Sequence, residues 1–360
     1  MDPSGYLPYS VTAATIPPPH RVVVGANLHA DIASRIRAAR PSLEVRAAAL
    51  ADVTTDDLEW ADAYVGFKRP PAAHGMGSVR WVHCTGAGVD AWLAPPGLPP
   101  TVLLTRTSES FGPAIAEWAV ARILAFQLQL PDLARAQAER RWAPRDVARL
   151  AGTRALIVGA GDVGTHVARA LAALGVRVTG VSRTGGTGGG TVSGTTGGGR
   201  GNGAGADSPA LRATAYRPAP RAAFDAMHPV ADLPALVGDA DWIVLTLPIT
   251  PATHHLFNRD LLARCRGAVL LNAGRGQTLE ESALPEALDK GWLRGAALDV
   301  FEVEPLPAGS PLWTDPRVIV SPHISGLTTA EGAAAGFLEC LADLEAGRLP
   351  KWAVDRARGY

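Results

Sequence analysis

The stretch ALIVGAGDVG, residues 155–164, decides the fold of this chain. Its first four residues are apolar and predict a buried strand, and its glycines form a G-x-G-x-x-G pattern that opens a predicted helix over 165–174. A second apolar run at 176–181 completes a strand-helix-strand unit. In such a unit the glycines form the turn and let a pyrophosphate approach, and the helix N-terminus favours its negative charge. The stretch therefore predicts a dinucleotide site at Gly159, Gly161, Asp162, Val163 and Gly164.

Further apolar runs on both sides of this stretch predict two α/β units. Those in the second half are apolar throughout, which is typical of parallel strands that helices cover on both faces. The additional strand candidates are 22–24, 63–65, 81–84, 242–247, 269–271 and 318–320. Helical spacing of apolar residues predicts helices over 28–40, 115–130 and 331–344. Pro131 is expected to end the second of these helices.

The composition is that of a globular protein with two domains. The chain has 360 residues, 47% of them hydrophobic and 19% charged, and single cores stop growing below this length. Its 34 basic and 34 acidic residues cancel, so neither nucleic acid nor an acidic membrane surface is expected as a partner. Cys84, Cys265 and Cys340 lack the spacing of a metal or redox site, and no run approaches the roughly 20 apolar residues of a membrane span. We expect a cytoplasmic protein with reduced thiols and no metal.

Two segments do not follow the α/β pattern. Residues 1–20 are rich in Pro, Ser and Thr and lack the basic and apolar regions of a secretory signal, so we interpret them as a disordered arm. Residues 184–206 are more than half glycine with almost nothing apolar. Such a segment cannot bury enough surface to offset its ordering entropy. We interpret it as a disordered insertion that the fold tolerates.

The end of the second predicted strand should determine which dinucleotide binds. An NAD site usually offers a carboxylate there for the ribose hydroxyls, whereas this chain has Ser182, Arg183 and Thr184. A cation and two hydroxyls suit a 2′-phosphate, so NADP(H) is the expected cofactor, with NAD(H) as the alternative. The other interpretation of Arg183 is a solvated loop residue.

Three segments in the second half place polar residues after predicted strands, where open α/β sheets bind their ligands. They are NAGRG at 272–276, DVFEVEP at 299–305 and SPHISG at 321–326. Taken singly, none of these segments is decisive. An arginine beside glycines can belong to a simple turn, a glutamate before proline can be a solvated carboxylate, and a lone histidine can be a structural residue.

Together, and after a G-x-G-x-x-G, these segments resemble the signature of the D-isomer-specific 2-hydroxyacid dehydrogenase family, from about Arg21 to the last helix. Two stretches support the resemblance: GAGVD at 86–90 is similar to the family's substrate loop and LPITPAT at 247–253 to its cofactor-covering strand end. The resemblance implies an α/β fold of two flavodoxin-like or Rossmann-like domains with parallel sheets and an active-site cleft between them. The implied substrate domain is 21–106 completed by 325–360, and the implied dinucleotide-binding domain is 107–324.

Keto-acid reduction gives the residues of these segments distinct roles. Arg275 supplies a planar fork for the substrate carboxylate and carbonyl. His323 is the general acid that gives a proton to the forming alkoxide, and Glu304 stabilises its imidazolium and fixes its tautomer. Backbone amides at Ala87 and Gly88 are expected to hold the substrate carboxylate as well.

The resemblance implies further contacts. Arg106 resembles a second anion contact of the glyoxylate and hydroxypyruvate reductase branch, and an ordinary surface arginine is the alternative. The remaining cofactor contacts that it implies are Leu247, Pro248, Thr253, Ala273, Gly274 and Asp299.

The expected function is a hydride transfer between NAD(P)H and a small 2-keto acid such as glyoxylate or hydroxypyruvate. A dinucleotide-sensing corepressor on the same fold is the alternative. Formate dehydrogenase is disfavoured, because that branch has Gln where Glu304 stands. A homodimer is implied by the resemblance, with the 115–130 helix as an interface element. Trp142 lies where some related reductases insert a Trp into the partner's site, and a buried or surface Trp is the simpler interpretation.

Overall fold

The computed structural model describes residues 16–73, 75–108, 110–186 and 223–359, which form two α/β units. The first unit has a parallel sheet in the order β2-β1-β3-β4-β5. Its strands are β1 (Arg21–Gly25), β2 (Glu44–Ala48), β3 (Ala63–Val65), β4 (Trp81–Cys84) and β5 (Leu103–Arg106). Its helices are α1 (His29–Ala39), α2 (Thr55–Trp60) and α3 (Asp90–Leu93). Two helices then lead to the second unit, α4 (Gly112–Gln127) and α5 (Leu130–Ala138).

The second unit has a parallel sheet of seven strands within the described ranges, in the order β12-β11-β10-β9-β6-β7-β8. Its strands are β6 (Arg154–Val158), β7 (Arg177–Ser182), β8 (Ala226–Pro229), β9 (Trp242–Leu245), β10 (Ala268–Asn272), β11 (Leu293–Leu298) and β12 (Val318–Val320). Its helices are α6 (Asp162–Ala173), α7 (Leu233–Leu236), α8 (Arg259–Leu262) and α9 (Leu284–Asp289). The predicted α/β class with two parallel sheets is therefore confirmed. The strand order reverses beside β6, and such a switch point is where open α/β sheets bind ligands.

Helices cover both faces of each sheet. In the second unit α4 and α6 bury Ile123 and Leu171 on one face, and α8 and α9 bury Leu262 and Leu288 on the other. The last helix, α10 (Ala330–Glu345), returns to the first unit, where its Phe337 packs in the same core as α1. The two ends of the described chain thus meet in the first unit. Among the helices described, none is both long enough and apolar enough to cross a membrane.

The structure corrects the prediction at Pro131. The predicted helix over 115–130 is α4, which ends at Gln127, and Gln129 adopts a left-handed φ of 53°. Pro131 then lies in the first turn of α5. Proline is tolerated in a first turn because the amide that it lacks would have no partner there. It therefore helps to begin a helix here instead of ending one.

Two predicted disordered segments lie largely outside the described residues. Of the arm predicted over 1–20, residues 16–20 are described, and Ile16 is buried in the core that α1 and α10 share. Ordered structure thus begins no later than Ile16, four residues before the expected arm ends. Of the insertion predicted over 184–206, only 184–186 are described.

Candidate active site

A cleft of about 1060 Å³ lies between the two units, at the carboxyl ends of their strands. Residues of both units line it. The predicted site residues on its wall are Ala87, Gly88, Arg106, Gly159, Gly161, Asp162, Val163, Gly164, Ser182, Arg183, Thr184, Leu247, Pro248, Thr253, Ala273, Gly274, Arg275 and His323. The structure therefore brings almost all of them together, although they come from distant parts of the sequence.

The glycine turn between β6 and α6 fits a dinucleotide phosphate. Gly159 has a φ of 110°, which side chains rarely adopt, and a Cβ on Gly164 would lie 2.1 Å from the carbonyl oxygen of Gly159. Backbone packing thus accounts for these two glycines. A Cβ on Gly161 would meet nothing within 4 Å in the described structure, yet Gly161 lies on the cleft wall. The open space at Gly161, beside the first turn of α6, is where a pyrophosphate would approach.

The loops after β7 and β9 form the adjoining wall of the cleft. At the end of β7 the Ser182 hydroxyl donates to the Gly186 carbonyl oxygen at 2.6 Å, and Arg183 and Thr184 line the cleft. After β9 the Thr253 hydroxyl donates to the Pro248 carbonyl oxygen at 2.7 Å. Thr253 therefore fixes the shape of the segment that covers the cleft, in addition to lining it.

Arg275 is held by groups from both units. Its Nε donates to Asp90 Oδ2 at 2.6 Å, and its Nη1 donates to the Gly274 carbonyl oxygen at 2.8 Å. A Cβ on Gly88 would lie 1.2 Å from Nη2, so only glycine leaves room for the guanidinium there. The remaining N–H groups are left for an anion in the cleft, since Arg presents five donors. Sequence analysis missed Asp90 as the partner of Arg275, because the two are far apart in the chain.

The turn that carries Arg275 is built by buried polar groups and a close backbone contact. Asn272 is fully buried. Its side-chain Nδ2 donates to the backbone carbonyl oxygen of Arg275 at 3.0 Å, and its side-chain Oδ1 accepts from the backbone amide of Gly274 at 3.1 Å. A Cβ on Gly276 would lie 1.9 Å from the carbonyl carbon of Phe301. The Arg275 turn therefore packs directly on the loop after β11, which carries Glu304.

His323 and Glu304 form a pair at the cleft. Nδ1 of His323 lies 2.8 Å from Glu304 Oε2, and the other carboxylate oxygen, Oε1, accepts from the Phe301 amide at 3.1 Å. With Nδ1 engaged by the carboxylate, Nε2 is the ring nitrogen that remains for a substrate. His323 has a φ of 53°. This left-handed conformation is uncommon for residues other than glycine, although histidine is among those enriched in it, and such strain is found at functional sites.

The structure corrects the prediction for Asp299. Its side chain is fully buried and does not line the cleft. Its Oδ1 accepts from the Ser321 hydroxyl at 2.6 Å and from the Ile324 amide at 3.0 Å, and its Oδ2 accepts from the Ser325 amide at 2.8 Å. The His323 amide also donates to the Asp299 carbonyl oxygen at 2.8 Å. Because all of these groups belong to the loop after β12, Asp299 holds the turn that presents His323.

Two glutamates, Glu281 and Glu302, link the loop after β11 to neighbouring loops. Glu302 Oε1 lies 2.8 Å from Nε2 of His255 and accepts from the Glu281 amide at 3.1 Å, while Glu281 Oε2 accepts from the Glu302 amide at 3.1 Å. Burial raises the pKa of the Glu281 carboxyl, and the nearby Glu302 carboxylate adds to the effect. Sequence analysis did not identify this group.

Arg106 supports the predicted substrate loop, against which Arg275 also lies. Its Nη1 donates to the Ala87 carbonyl oxygen at 2.9 Å, and it also lines the cleft. The Cys84 thiol below this loop is buried, which raises its pKa to about 11. Cys84 is therefore a thiol of the core at neutral pH. All three cysteines are buried and free, in agreement with the sequence interpretation.

Comparison with known proteins identifies the family. The profile for the D-isomer specific 2-hydroxyacid dehydrogenase, NAD binding domain, matches residues 120–195 and 202–325, more than half of the chain. The chain belongs to the D-isomer specific 2-hydroxyacid dehydrogenase family. An uncharacterized protein of Streptomyces coelicolor is 37% identical over 294 residues, which cover 81% of this chain and 93% of that protein.

Solved structures with the same fold include two that were determined with a cofactor. A D-isomer specific 2-hydroxyacid dehydrogenase from Xanthobacter autotrophicus Py2, in complex with NADPH and MES, has a TM-score of 0.79 at 31% identity and covers 95% of this chain and 100% of its own. An NADPH-dependent glyoxylate/hydroxypyruvate reductase from Sinorhizobium meliloti, in complex with NADP and sulfate, has a TM-score of 0.76 at 29% identity. The match covers 94% of this chain and 99% of that structure's chain. The predicted family is thus confirmed, and the chain is an oxidoreductase that uses a nicotinamide dinucleotide.

Proposed function

We propose that this protein reduces a small 2-keto acid, such as glyoxylate or hydroxypyruvate, to the D-2-hydroxy acid with NADPH. One observation carries the proposal: Arg275 and His323 line the cleft that also contains the glycine turn, and Glu304 is paired with His323 behind that lining. A keto acid needs an anion contact and a proton donor in one place, and a dinucleotide needs the glycine turn beside them.

The catalytic residues in this proposal are Arg275, His323 and Glu304. The free N–H groups of Arg275 bind the substrate carboxylate and polarise its carbonyl, while Asp90 and the Gly274 carbonyl oxygen fix the plane of the guanidinium. Nε2 of the protonated His323 donates its proton to the carbonyl oxygen as that oxygen becomes an alkoxide. Glu304 holds the other side of the imidazolium through Nδ1. Histidine is left neutral after the transfer and takes up a proton from solvent.

The dinucleotide would be held by the glycine turn, the loop after β9 and the end of β7. When bound in its reduced form, it supplies the hydride that reaches the carbonyl carbon. The unpaired amides in the first turn of α6 would favour the negative charge of the pyrophosphate. Ala87 and Gly88 bound the substrate end of the same cleft, next to Arg275 and Arg106.

We propose that NADP(H) is preferred over NAD(H). The support is that Ser182, Arg183 and Thr184 all line the cleft where β7 ends, the place at which the adenosine ribose lies in β-α-β dinucleotide folds. An arginine and two hydroxyls can bond a 2′-phosphate there with charge assistance.

We also propose a homodimer. Large apolar side chains are exposed around α5 and the segment that follows it; they are Leu128, Leu130, Leu133, Trp142 and Val147. Trp142 is 94% exposed, and an excess of large exposed apolar side chains in one region favours an interaction surface. A partner copy would bury these side chains. Light scattering of the wild type and of Leu133→Asp tests this, since a dimer should give way to a monomer in the variant.

A single assay tests the enzyme proposal. The loss of reduced nicotinamide absorbance is followed over a panel of 2-keto acids with NADPH and with NADH. Turnover of at least one small 2-keto acid, faster with NADPH, is expected. Tight binding of NADPH without turnover of any acid would contradict the proposal and favour the dinucleotide-sensing alternative.

A further inference from the structure

The C-terminal segment after α10 is anchored on the first unit. The Val354 amide donates to the Leu104 carbonyl oxygen at 2.9 Å, and the Arg106 amide donates to the Trp352 carbonyl oxygen at 3.1 Å. Thr105 and Ala353 form an antiparallel bridge. The segment therefore pairs with β5, the edge strand that ends at the cleft.

Arg356 fixes the segment more firmly. Its Nη1 donates to the carbonyl oxygens of Leu98 and Pro99 at 2.9 and 3.0 Å, and its Nη2 donates to the carbonyl oxygen of Val102. One guanidinium thus satisfies three carbonyl groups of the loop that precedes β5. Arg356 is a structural anchor, and the chain beyond it is directed toward the cleft.

The tip of the segment reaches the second unit. Ala357, Arg358 and Gly359 line the cleft. A Cβ on Gly359 would lie 3.5 Å from Thr250 Cγ2, so the tip lies close to the cofactor-covering loop after β9. The segment therefore starts on one wall of the cleft and ends on the other.

We propose that residues 355–359 close over the bound dinucleotide and that Arg358 donates to one of its phosphate groups. This rests on the proposed function in so far as the dinucleotide occupies the cleft. The lining of the cleft includes four arginines, Arg106, Arg183, Arg275 and Arg358. Arg106 and Arg275 are at the substrate end, and Arg183 is at the end of β7. Arg358 is the arginine that the tail brings to the cleft, one residue before Gly359, which lies near the loop after β9.

The present partner of Arg358 is easily replaced. Its Nε lies 3.0 Å from Asp355 Oδ2, and the two side chains are 57% and 45% exposed. Such exposed ion pairs contribute little to stability. The pyrophosphate of a dinucleotide carries two negative charges against the one of Asp355, and a phosphate can accept two parallel hydrogen bonds from a guanidinium. Binding of the dinucleotide would then replace an exchangeable contact with a stronger one and hold the tail against both units.

Direct binding measurements on the full chain test the proposal. Isothermal titration with NADPH and with NADH is compared for the wild type, Arg358→Ala, Arg358→Glu and Arg358→Lys. We expect Arg358→Ala to weaken binding about tenfold, Arg358→Glu to weaken it further, and Arg358→Lys to retain most of the affinity, as for a lost charge-assisted hydrogen bond. Arg348→Ala is the control, since Arg348 is a comparably exposed arginine that also pairs with an aspartate, Asp343, and does not line the cleft.

A second readout is hydrogen exchange of the segment 355–359, whose amides should become protected when NADPH is added. A loss of affinity for both dinucleotides would assign Arg358 to the pyrophosphate, and a loss for NADPH alone to the 2′-phosphate. Equal affinity of Arg358→Ala and the wild type, with no change in exchange, would overturn the proposal. That result would leave the proposed reductase activity standing, whereas an Arg358-dependent affinity without keto-acid turnover would refute the activity and keep this inference.

Discussion

The His323–Glu304 pair gives the sharpest test of the proposed chemistry. If His323 donates the proton, His323→Ala should lower the rate of keto-acid reduction by about 10² to 10⁴-fold, the usual share of general acid catalysis. The rate in the wild type should decline as the pH rises, because reduction consumes the protonated imidazole.

Glu304→Gln should lower the reduction rate less than His323→Ala does, and the size of the effect can be estimated from the structure. The 2.8 Å separation of His323 Nδ1 and Glu304 Oε2 is that of a charge-assisted hydrogen bond, for which about 1.5 to 3 kcal/mol is typical. The side chains are 45% and 37% exposed, so solvent screening favours the low end. About 1.5 kcal/mol corresponds to roughly a tenfold lower rate.

The assay is steady-state reduction of the best 2-keto acid over a range of pH. Asp232→Asn is the matched control, because it alters a comparable exposed pair in which Asp232 Oδ2 lies 3.2 Å from Nδ1 of His228. That variant should keep the wild-type rate and pH profile. Near-normal turnover by His323→Ala would refute the general-acid role, and a wild-type rate in Glu304→Gln would refute the role of the carboxylate.

Four further predictions concern other parts of the molecule. Arg275→Lys should lose most of the kcat/KM for keto acids in steady-state kinetics, because an ammonium cannot present a planar fork; wild-type kinetics would argue against the anion contact. Arg183→Ala should reduce the NADPH over NADH ratio of kcat/KM by roughly ten- to a hundredfold, with exposure and salt lowering the effect, and an unchanged ratio would show that Arg183 does not cause the preference. Burial lowers the pKa of His83 from 6.5 to about 3, so below pH 6.5 the unfolded chain binds a proton that the folded chain does not. The His83 contribution to stability is therefore lost as the pH falls, by about 2 kcal/mol between pH 7 and 5. Urea unfolding of His83→Gln should show a correspondingly smaller loss, and an equal loss would contradict the assignment. A short replacement of the glycine-rich stretch 185–205 should leave the midpoint of thermal denaturation nearly unchanged, because long flexible loops add only slowly growing entropy costs; a large drop would mean that the stretch packs on the domain.

The sequence determined the features that depend on local backbone requirements. A strand followed by G-x-G-x-x-G and a helix specifies a phosphate-binding turn, since the glycines supply the turn, the open approach to the phosphate and the close packing of the helix. The structure shows this directly at Gly164, which packs on the Gly159 carbonyl oxygen. The segments that carry Arg275 and His323 could be found for the same reason, because they follow apolar strands whose carboxyl ends meet at one edge of a parallel sheet.

Edge strands and proline were less predictable from the sequence. The edge strands β2 and β8 are partly exposed and lack the continuous apolar run that marks a central strand. Pro131 is compatible with either the end or the start of a helix, and the left-handed Gln129 decides between them.

Only the tertiary structure decided which polar groups meet. Asp299 and Glu304 are both carboxylates after the same strand, yet Asp299 turns into the core to hold the His323 loop and Glu304 turns to the imidazole. Asp90 reaches Arg275 across the cleft, and Gly359 near the C-terminus lies close to the loop after β9. Short motifs constrain the backbone around themselves, whereas partners that are distant in sequence are chosen by the packing of the two units, which no local pattern encodes.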